Sequence, residues 1–145
     1  MPRPEPVGSI ELTLCGAVRR ISGGPFDAFA PPAIGVCLEQ RSVKADQAAI
    51  RIAIADFAPP TPEQFVAGLA DILRALRDAP QASLYIGCRA GIGRTGTFMA
   101  GLAKLAGITE PIAWLRARYH PEAVETAAQA QAIADLDVAA VFRAV

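Results

Sequence analysis

Short apolar runs separated by amphipathic segments run through the chain and predict alternating strands and helices. The runs at 33–38, 49–54 and 84–86 have strand length and are almost continuously apolar, which is typical of strands buried on both faces of a largely parallel sheet. Residues 9–14 alternate polar and apolar side chains, so they predict an edge strand with one solvated face. Residues 16–32 hold several glycines and prolines without any period, and they predict a long loop.

Helical periodicity is clearest after Thr61. The sequence Thr61-Pro-Glu-Gln is a capping box with proline at the first helical position, and apolar residues then recur at the spacing of one helix face until Pro80. Thr109 is expected to cap a further helix that ends before Pro121. The alanine-rich residues 122–143 favour one or two more helices.

This order of elements predicts the fold class. Strand, helix, strand, helix in succession indicates an α/β fold with a central, mostly parallel sheet of four to five strands flanked by helices. A length of 145 residues, with 52% hydrophobic and 19% charged residues, fits a single domain over residues 1–145 with one core. The proline-rich residues 1–7 are expected to be frayed.

Charge and cysteine content limit the possible partners. The formal net charge is zero, so there is no electrostatic reason to expect nucleic acid or an anionic membrane as a partner. No apolar run reaches the roughly 18 residues of a spanning helix. Three cysteines without a Cys-x-x-Cys pair, and a single histidine, argue against a zinc site and a disulfide framework and favour a cytoplasmic location.

The stretch 83–99 carries the candidate chemistry. A short apolar strand leads into Cys88, and three glycines follow within six residues before an apolar helix: Gly91, Gly93 and Gly96. A glycine-rich turn between strand and helix directs backbone N–H groups at one point and adds the positive end of the helix dipole, so it predicts an anion-binding loop. Cys88 and Arg94 add a potential thiolate and a guanidinium around the same anion.

Two alternatives fit this stretch less well. A nucleotide-binding Walker loop requires G-x4-G-K-[ST], but the spacing from Gly87 to Gly93 is one residue too long and Arg94 replaces the lysine. The other alternative is a buried structural cysteine beside a glycine-rich turn. Glycines within a helix cost about 1 kcal/mol of stability each against alanine, and a purely structural role would not compensate for that cost.

Residues 88–98 read C-R-A-G-I-G-R-T-G-T-F and closely resemble the loop C-S-A-G-I-G-R-[ST]-G-T-F of the cysteine-dependent protein tyrosine phosphatases. The resemblance implies a phosphatase-like P-loop between the last strand and a helix, with these phosphate-binding residues: Arg89, Ala90, Gly91, Ile92, Gly93 and Arg94. Arg89 is the main departure within the loop. The family commonly has histidine before the cysteine, where this chain has Gly87, so we expect a working but slower enzyme.

The resemblance also implies the catalytic roles, without a metal or other cofactor. Cys88 would attack phosphorus and form a phosphocysteine intermediate. Arg94 would hold two non-bridging oxygens with its planar fork, and Thr95 would donate its hydroxyl to the departing sulfur.

Two further segments resemble the same family. Residues 54–60 are similar to W-P-D-x-x-x-P without its Trp-Pro lead, which implies that Asp56 is the general acid, although by itself Asp56 would be an ordinary turn residue. Asp56 and Cys88 each follow a predicted parallel strand, so both should lie at one sheet edge. Residues 125–129 resemble the water-positioning Q-T-x-x-Q, but only Gln129 matches, and a solvated helix face is an equally good interpretation.

The implied function is metal-independent hydrolysis of phosphotyrosine monoesters, with phosphoserine and phosphothreonine as possible further substrates. The partners would be phosphorylated proteins or small phosphomonoesters. One alternative is a phosphoinositide or inositol-phosphate phosphatase, although Ala90 and Ile92 stand where those relatives often carry lysines. Another is a phosphate-binding module without turnover, which Gly87 and the missing Trp-Pro would suit. Arg19 and Arg20 could steer a phosphorylated substrate, or they could simply be solvated.

Overall fold

A five-stranded sheet lies at the centre of the protein, in a computed structural model that describes residues 3–145. The strands are β1 (Gly8–Leu14), β2 (Ala17–Pro25), β3 (Ile34–Cys37), β4 (Ile50–Arg51) and β5 (Leu84–Cys88), in the order β1-β2-β5-β3-β4. The edge strand β1 pairs antiparallel with β2, and the other pairings are parallel. The predicted fold class, a mostly parallel α/β sheet flanked by helices, is confirmed.

Within residues 3–145, five α-helices follow or separate the strands: α1 (Pro62–Asp78), α2 (Gly93–Leu105), α3 (Pro111–Arg118), α4 (Ala127–Asp135) and α5 (Val138–Ala144). The capping box of α1 is confirmed. The Thr61 hydroxyl accepts the Gln64 N–H at 3.1 Å, and the Gln64 side chain accepts the Thr61 N–H at 3.0 Å.

Two helix starts differ from the predictions. The predicted cap at Thr109 is wrong, because α3 follows Glu110, has proline at its first position and lacks a capping side chain. The helical region expected from residue 122 begins only at Ala127. Thr126 and Gln129 form a capping box there, a signal that the sequence contains as T-x-x-Q.

The loop predicted over residues 16–32 is wrong over its first half, where β2 runs between β1 and β5. The strand pattern is hidden because Arg19 occupies a buried position. Its guanidinium donates hydrogen bonds of 2.7 Å to three carbonyls in the last turn of α1 and just after it: Leu76, Ala79 and Ala82. The last carbonyls of a helix have no partner within it, so Arg19 fastens β2 to α1 instead of steering substrate.

All five α-helices pack into one core with the side chains on one face of the sheet. We call this the helical face. Directly paired residues of four strands point to it: Ile10, Ile21, Leu84, Ile86 and Val36. The opposite face is covered by a smaller cluster of Phe26, Phe29, Cys37, Ala45 and Tyr85.

Several chain segments end at the same edge of the sheet. β5 ends at Cys88, β3 leads into Glu39, and β4 leads into Asp56. The strand expected over 49–54 is shorter, because pairing with β3 stops at Arg51. The carboxyl ends of parallel strands therefore converge where the candidate chemistry lies.

The N-terminal segment, residues 1–7, was expected to be frayed. Of the residues expected to be frayed, 1 and 2 lie outside the described residues, whereas the Val7 N–H donates to the Gly23 carbonyl at 2.8 Å. Across residues 3–145, none of the helices combines the length and apolar character needed to cross a membrane.

Replacing Arg19 with methionine should lower the free energy of unfolding by about 2–4 kcal/mol, because three carbonyls lose a charged donor while the apolar stem is kept. Urea denaturation monitored by circular dichroism measures the change. Arg20→Met is the matched control, since Arg20 is exposed and its loss should cost less than about 0.5 kcal/mol. Equal, small losses for both variants would contradict this role of Arg19.

Candidate active site

The P-loop, residues 88–94, connects the end of β5 to the first turn of α2. Cys88 is buried, and its Sγ accepts hydrogen bonds from the Gly91 N–H at 3.2 Å and the Thr95 hydroxyl at 3.1 Å. The sulfur also lies next to the N-terminus of α2, whose dipole favours negative charge. Both hydrogen bonds and the dipole stabilise a thiolate, which is the nucleophilic form of cysteine.

The turn of the P-loop depends on Gly91. Its φ of +83° lies in the left-handed region, and a Cβ there would overlap the backbone of Gly24 in β2. The Gly91 carbonyl accepts a hydrogen bond from the Tyr119 hydroxyl at 2.6 Å. The loop backbone therefore lies directly on β2, with its position fixed by a neighbouring strand and by a tyrosine.

Gly87, which stands where the resembling family commonly has histidine, faces the side of the sheet opposite the helices. A Cβ at this position would lie 2.6 Å from the Cα of Phe26 and 2.7 Å from its backbone nitrogen. Any side chain would displace the segment that carries Phe26. Glycine is therefore required here by packing beneath the P-loop.

The guanidinium of Arg94 is buried at the carboxyl edge of the sheet. Its Nη1 donates to the carbonyls of Leu38 at 3.2 Å and Ile54 at 2.8 Å. Its Nη2 donates to Glu39 Oε2 at 3.0 Å and lies 3.4 Å from Asp56 Oδ1. Arg94 Nε is the one buried side-chain nitrogen or oxygen among residues 3–145 that lacks a hydrogen-bond partner. A buried donor of a charged group is costly to leave unpaired, so the site suits an acceptor that enters from outside.

Glu39 balances the charge of Arg94. Burial by itself raises the pKa of Glu39, but hydrogen bonds from Arg94 and from the Arg41 N–H outweigh that effect and hold the pKa below its ordinary value. Glu39 is therefore ionised at neutral pH. Glu39 is absent from the predicted site residues. An acidic residue two positions after β3, at the sheet edge where Cys88 was expected, was a usable signal.

Asp56 reaches Arg94 from a loop with an unusual backbone. Its Oδ1 accepts the Phe57 N–H at 3.0 Å, and Phe57 has a φ of +65° with 58% of its surface exposed. Long hydrogen bonds of 3.4 Å join this loop to the start of α4, from the Thr126 hydroxyl and from Gln129 Nε2. Bonds at this length are weak, so the connection to α4 restrains the loop only lightly.

Gln129 is buried between the P-loop and the Asp56 loop. Its Oε1 accepts the N–H groups of Glu125 and Thr126 at 2.8 and 3.2 Å. A Cβ on Gly93 would lie 3.1 Å from its Nε2. Of the two interpretations of Gln129, the solvated helix face is thus wrong, because the side chain is buried and lies against the P-loop.

Two pairs of predicted site residues are in contact, Cys88 with Thr95 and Arg94 with Asp56, although neither Arg94 nor Asp56 lines the cavity over Cys88. A cavity of about 280 Å³ opens over Cys88 and is lined by Asp27, Glu39, Arg41, Ser42, Cys88 and Arg89. Arg89 and Ala90 are exposed, whereas Gly91, Gly93 and Arg94 are buried. Across the described part of the chain, no group of three or more His, Cys, Asp or Glu side chains is arranged to hold a metal ion.

Known structures share this fold. The crystal structure of Tk-PTP in the active form is 22% identical, with a TM-score of 0.63, covering 80% of this chain and 90% of that one. Kinase associated phosphatase, crystallised with its catalytic site cysteine changed to serine, is 16% identical with a TM-score of 0.64 and covers 88% and 92%. A putative protein tyrosine phosphatase from Leishmania major is 16% identical with a TM-score of 0.65 and covers 90% and 98%.

Sequence comparison identifies the family. No curated protein sequence matches the chain. The family model described as PTP-SAK, Swiss Army Knife protein, DSP-PTPase phosphatase domain, matches residues 37–141, a segment that holds β4, β5, the P-loop and the Asp56 loop. The chain therefore belongs to this family of DSP-PTPase phosphatase domains, and the protein is a phosphatase of the protein tyrosine phosphatase type.

Proposed function

We propose that the protein hydrolyses phosphotyrosine monoesters without a metal ion, through a phosphocysteine intermediate on Cys88. Phosphoserine and phosphothreonine are further candidate substrates. The observation that supports this most strongly is the Nε of Arg94, a buried donor without a partner in residues 3–145. Arg94 immediately precedes Thr95 in the chain, and the Thr95 hydroxyl donates a hydrogen bond to the Cys88 sulfur. A phosphoryl oxygen would supply the acceptor that Nε lacks.

In the first step, the Cys88 thiolate attacks phosphorus in line with the leaving oxygen. The S–P bond forms, the P–O bond breaks, and the departing oxygen takes a proton from Asp56. The backbone N–H groups of the loop from Arg89 to Gly93 bind the phosphoryl oxygens together with the planar fork of Arg94.

In the second step, water attacks the phosphorus of the phosphocysteine. Asp56, now ionised, accepts the proton of the water, and Gln129 positions that water. The P–S bond breaks and the sulfur leaves as a thiolate, which accepts the Thr95 hydroxyl hydrogen bond. Inorganic phosphate is released and Asp56 is protonated again, so the cycle closes without a cofactor.

Electrostatics around Arg94 fit this cycle. Glu39 and Asp56 both approach Arg94 Nη2, at 3.0 and 3.4 Å, and they hold the guanidinium in place before substrate arrives. Asp56 is the more exposed of the two, at 42% against 15% for Glu39. The incoming phosphate would therefore displace Asp56 from Arg94, which leaves that carboxyl group beside the leaving oxygen.

A second candidate substrate class is phosphoinositides or inositol phosphates. Arg41 and Arg89 line the cavity over Cys88, and neither guanidinium forms a salt bridge within residues 3–145. Two such cations could bind additional phosphate groups, although Ala90 and Ile92 add no charge. Initial rates on phosphotyrosine, phosphoserine and phosphothreonine peptides and on phosphoinositide micelles would rank the two classes.

The partners that we propose are phosphorylated proteins or small phosphomonoesters, rather than nucleic acid or membranes. A cytoplasmic location suits the mechanism, because a nucleophilic Cys88 must remain a reduced thiolate.

The wild-type protein should hydrolyse p-nitrophenyl phosphate at full rate in the presence of EDTA, and Cys88→Ser should abolish turnover. Serine keeps the shape of the site but is a much weaker nucleophile than a thiolate. Release of p-nitrophenolate measures the rate. A wild type no faster than Cys88→Ser, combined with retained phosphate binding, would indicate a binding module instead of an enzyme.

Replacing Asp56 with asparagine should lower kcat by about 10²- to 10⁴-fold, the usual contribution of a general acid. The loss should be larger for phenyl phosphate than for p-nitrophenyl phosphate, because phenolate is the poorer leaving group and depends more on protonation. Initial rates on the two substrates measure kcat and its dependence on the leaving group.

Asp27→Asn is the matched control for Asp56, since Asp27 lines the cavity over Cys88 but forms no ion pair with Arg94 among residues 3–145. It should keep the kcat and the leaving-group dependence of the wild type. If Asp56→Asn behaves like Asp27→Asn in both measurements, another group is the acid.

Thr95→Val should slow the second step by about tenfold to 100-fold, because the departing sulfur loses one hydrogen bond to a charged group. Phosphocysteine should then accumulate, visible as a burst of p-nitrophenolate and as a phosphorylated protein by mass spectrometry. Thr97→Val is the control: Thr97 is equally buried, but its hydroxyl donates to the Gly93 carbonyl. A burst in both variants, or in neither, would count against the role of Thr95.

A further inference from the structure

We propose that Tyr119 is a positioning residue, whose phenol holds the Gly91 peptide so that the N–H groups of the P-loop face the bound phosphate. This inference rests on the proposed function in one respect: it takes the bound phosphate to be the phosphoryl group of the substrate. Tyr119 lies just beyond α3, outside the motif that predicts the P-loop, and its contact with Gly91 joins residues 28 positions apart.

A trans peptide group points its C=O and its N–H in opposite directions. The Gly91 carbonyl accepts the Tyr119 hydroxyl at 2.6 Å, so the N–H of Ile92 must point away from Tyr119. The next peptide repeats the arrangement, because the Ile92 carbonyl accepts the Val124 N–H at 3.2 Å. The Ile92 carbonyl also accepts the Gly96 N–H at 3.1 Å, as the first hydrogen bond of α2. Residues 119–124, which we call the loop brace, thus contact two consecutive carbonyls of the loop.

The loop needs such a brace because Gly91 has little conformational preference of its own. Glycine adopts positive and negative φ almost equally well, so the peptide that follows Gly91 can rotate at low cost. Rotation would turn the carbonyl oxygen toward the phosphate and the N–H away from it. The hydrogen bond from Tyr119 selects the orientation that binds anions.

The phenol of Tyr119 is buried and remains a donor. The residue is only 8% exposed. Burial, with smaller contributions from the charges of Cys88 and Tyr85, raises the pKa of Tyr119 far above its ordinary value. The sheet leaves room for the ring at Gly23, where a Cβ would lie 2.7 Å from the Tyr119 oxygen.

The other end of the loop brace is held in a strained conformation. Val124 is buried with a φ of +66°, which is unfavourable for a β-branched residue. Arg116 fixes it there, since its guanidinium donates to the carbonyls of Ala123 at 2.8 Å and Val124 at 2.7 Å. The surrounding structure thus maintains a strained backbone where the loop brace contacts the P-loop. Such strain fits a positioning role.

Tyr119→Phe tests the inference, with Tyr85→Phe as the matched control. Both phenols are buried and donate to a backbone carbonyl, but Tyr85 binds that of Pro25 at 2.8 Å, outside the P-loop. Both variants should lose similar thermal stability. Only Tyr119→Phe should weaken the binding of inorganic phosphate, measured by calorimetry, and lower kcat/KM, each by about tenfold to 100-fold.

Arg116→Gln supplies a second test in case Tyr119→Phe folds poorly. Arg118→Gln is its control, because the Arg118 guanidinium stacks on the Trp114 ring at 4.7 Å and does not hold the loop brace. Arg116→Gln should weaken phosphate binding and Arg118→Gln should not. Unchanged phosphate affinity and kcat/KM in both Tyr119→Phe and Arg116→Gln, alongside an active wild type, would overturn the inference alone. A wild type that binds phosphate without turnover would overturn the proposed function alone.

Discussion

A buried guanidinium must be surrounded by hydrogen-bond acceptors, and the way this protein meets that requirement for Arg94 determines the layout of its functional edge. The chain supplies two carbonyls and a carboxylate from the segments that follow β3 and β4. Removing one partner from a buried charge commonly costs several kcal/mol. Arg94 therefore holds the segments that follow β3 and β4 against α2. The same contacts bring Asp56 to the P-loop.

The P-loop itself is held between layers of backbone. Gly91 lies on Gly24 of β2, and Gly87 lies on the segment of Phe26 on the other side of the sheet. Side chains at either position would separate these layers. The loop therefore obtains its shape from contacts between main chains, which leaves its N–H groups available for an anion.

The residues that sequence reasoning located are those whose signal is local. Cys88, Arg94 and Thr95 belong to one strand, turn and helix, and Asp56 follows an apolar run that points to the sheet edge. Tyr119 carried no such signal, because it contacts the Gly91 carbonyl, 28 positions earlier, only in the folded chain. β2 was missed for a related reason. Arg19 is a charged residue on a buried face, and its acceptors lie about sixty residues later, in the last turn of α1 and just after it. The prediction at Thr109 failed in the opposite way. Threonine is a good capping residue, but the helix starts after Glu110, with proline at its first position.

The contacts that complete the site connect distant parts of the chain. Arg94 binds carbonyls 56 and 40 residues away, and β2 pairs with β5 across a similar separation. Closing such long loops costs entropy before the contacts form, and folds with many non-local pairings form slowly. No local fragment of the chain can hold Arg94 in place. The phosphate binding that we propose would therefore appear only once the whole sheet is assembled. It would then report complete folding, which a measurement of secondary structure alone does not.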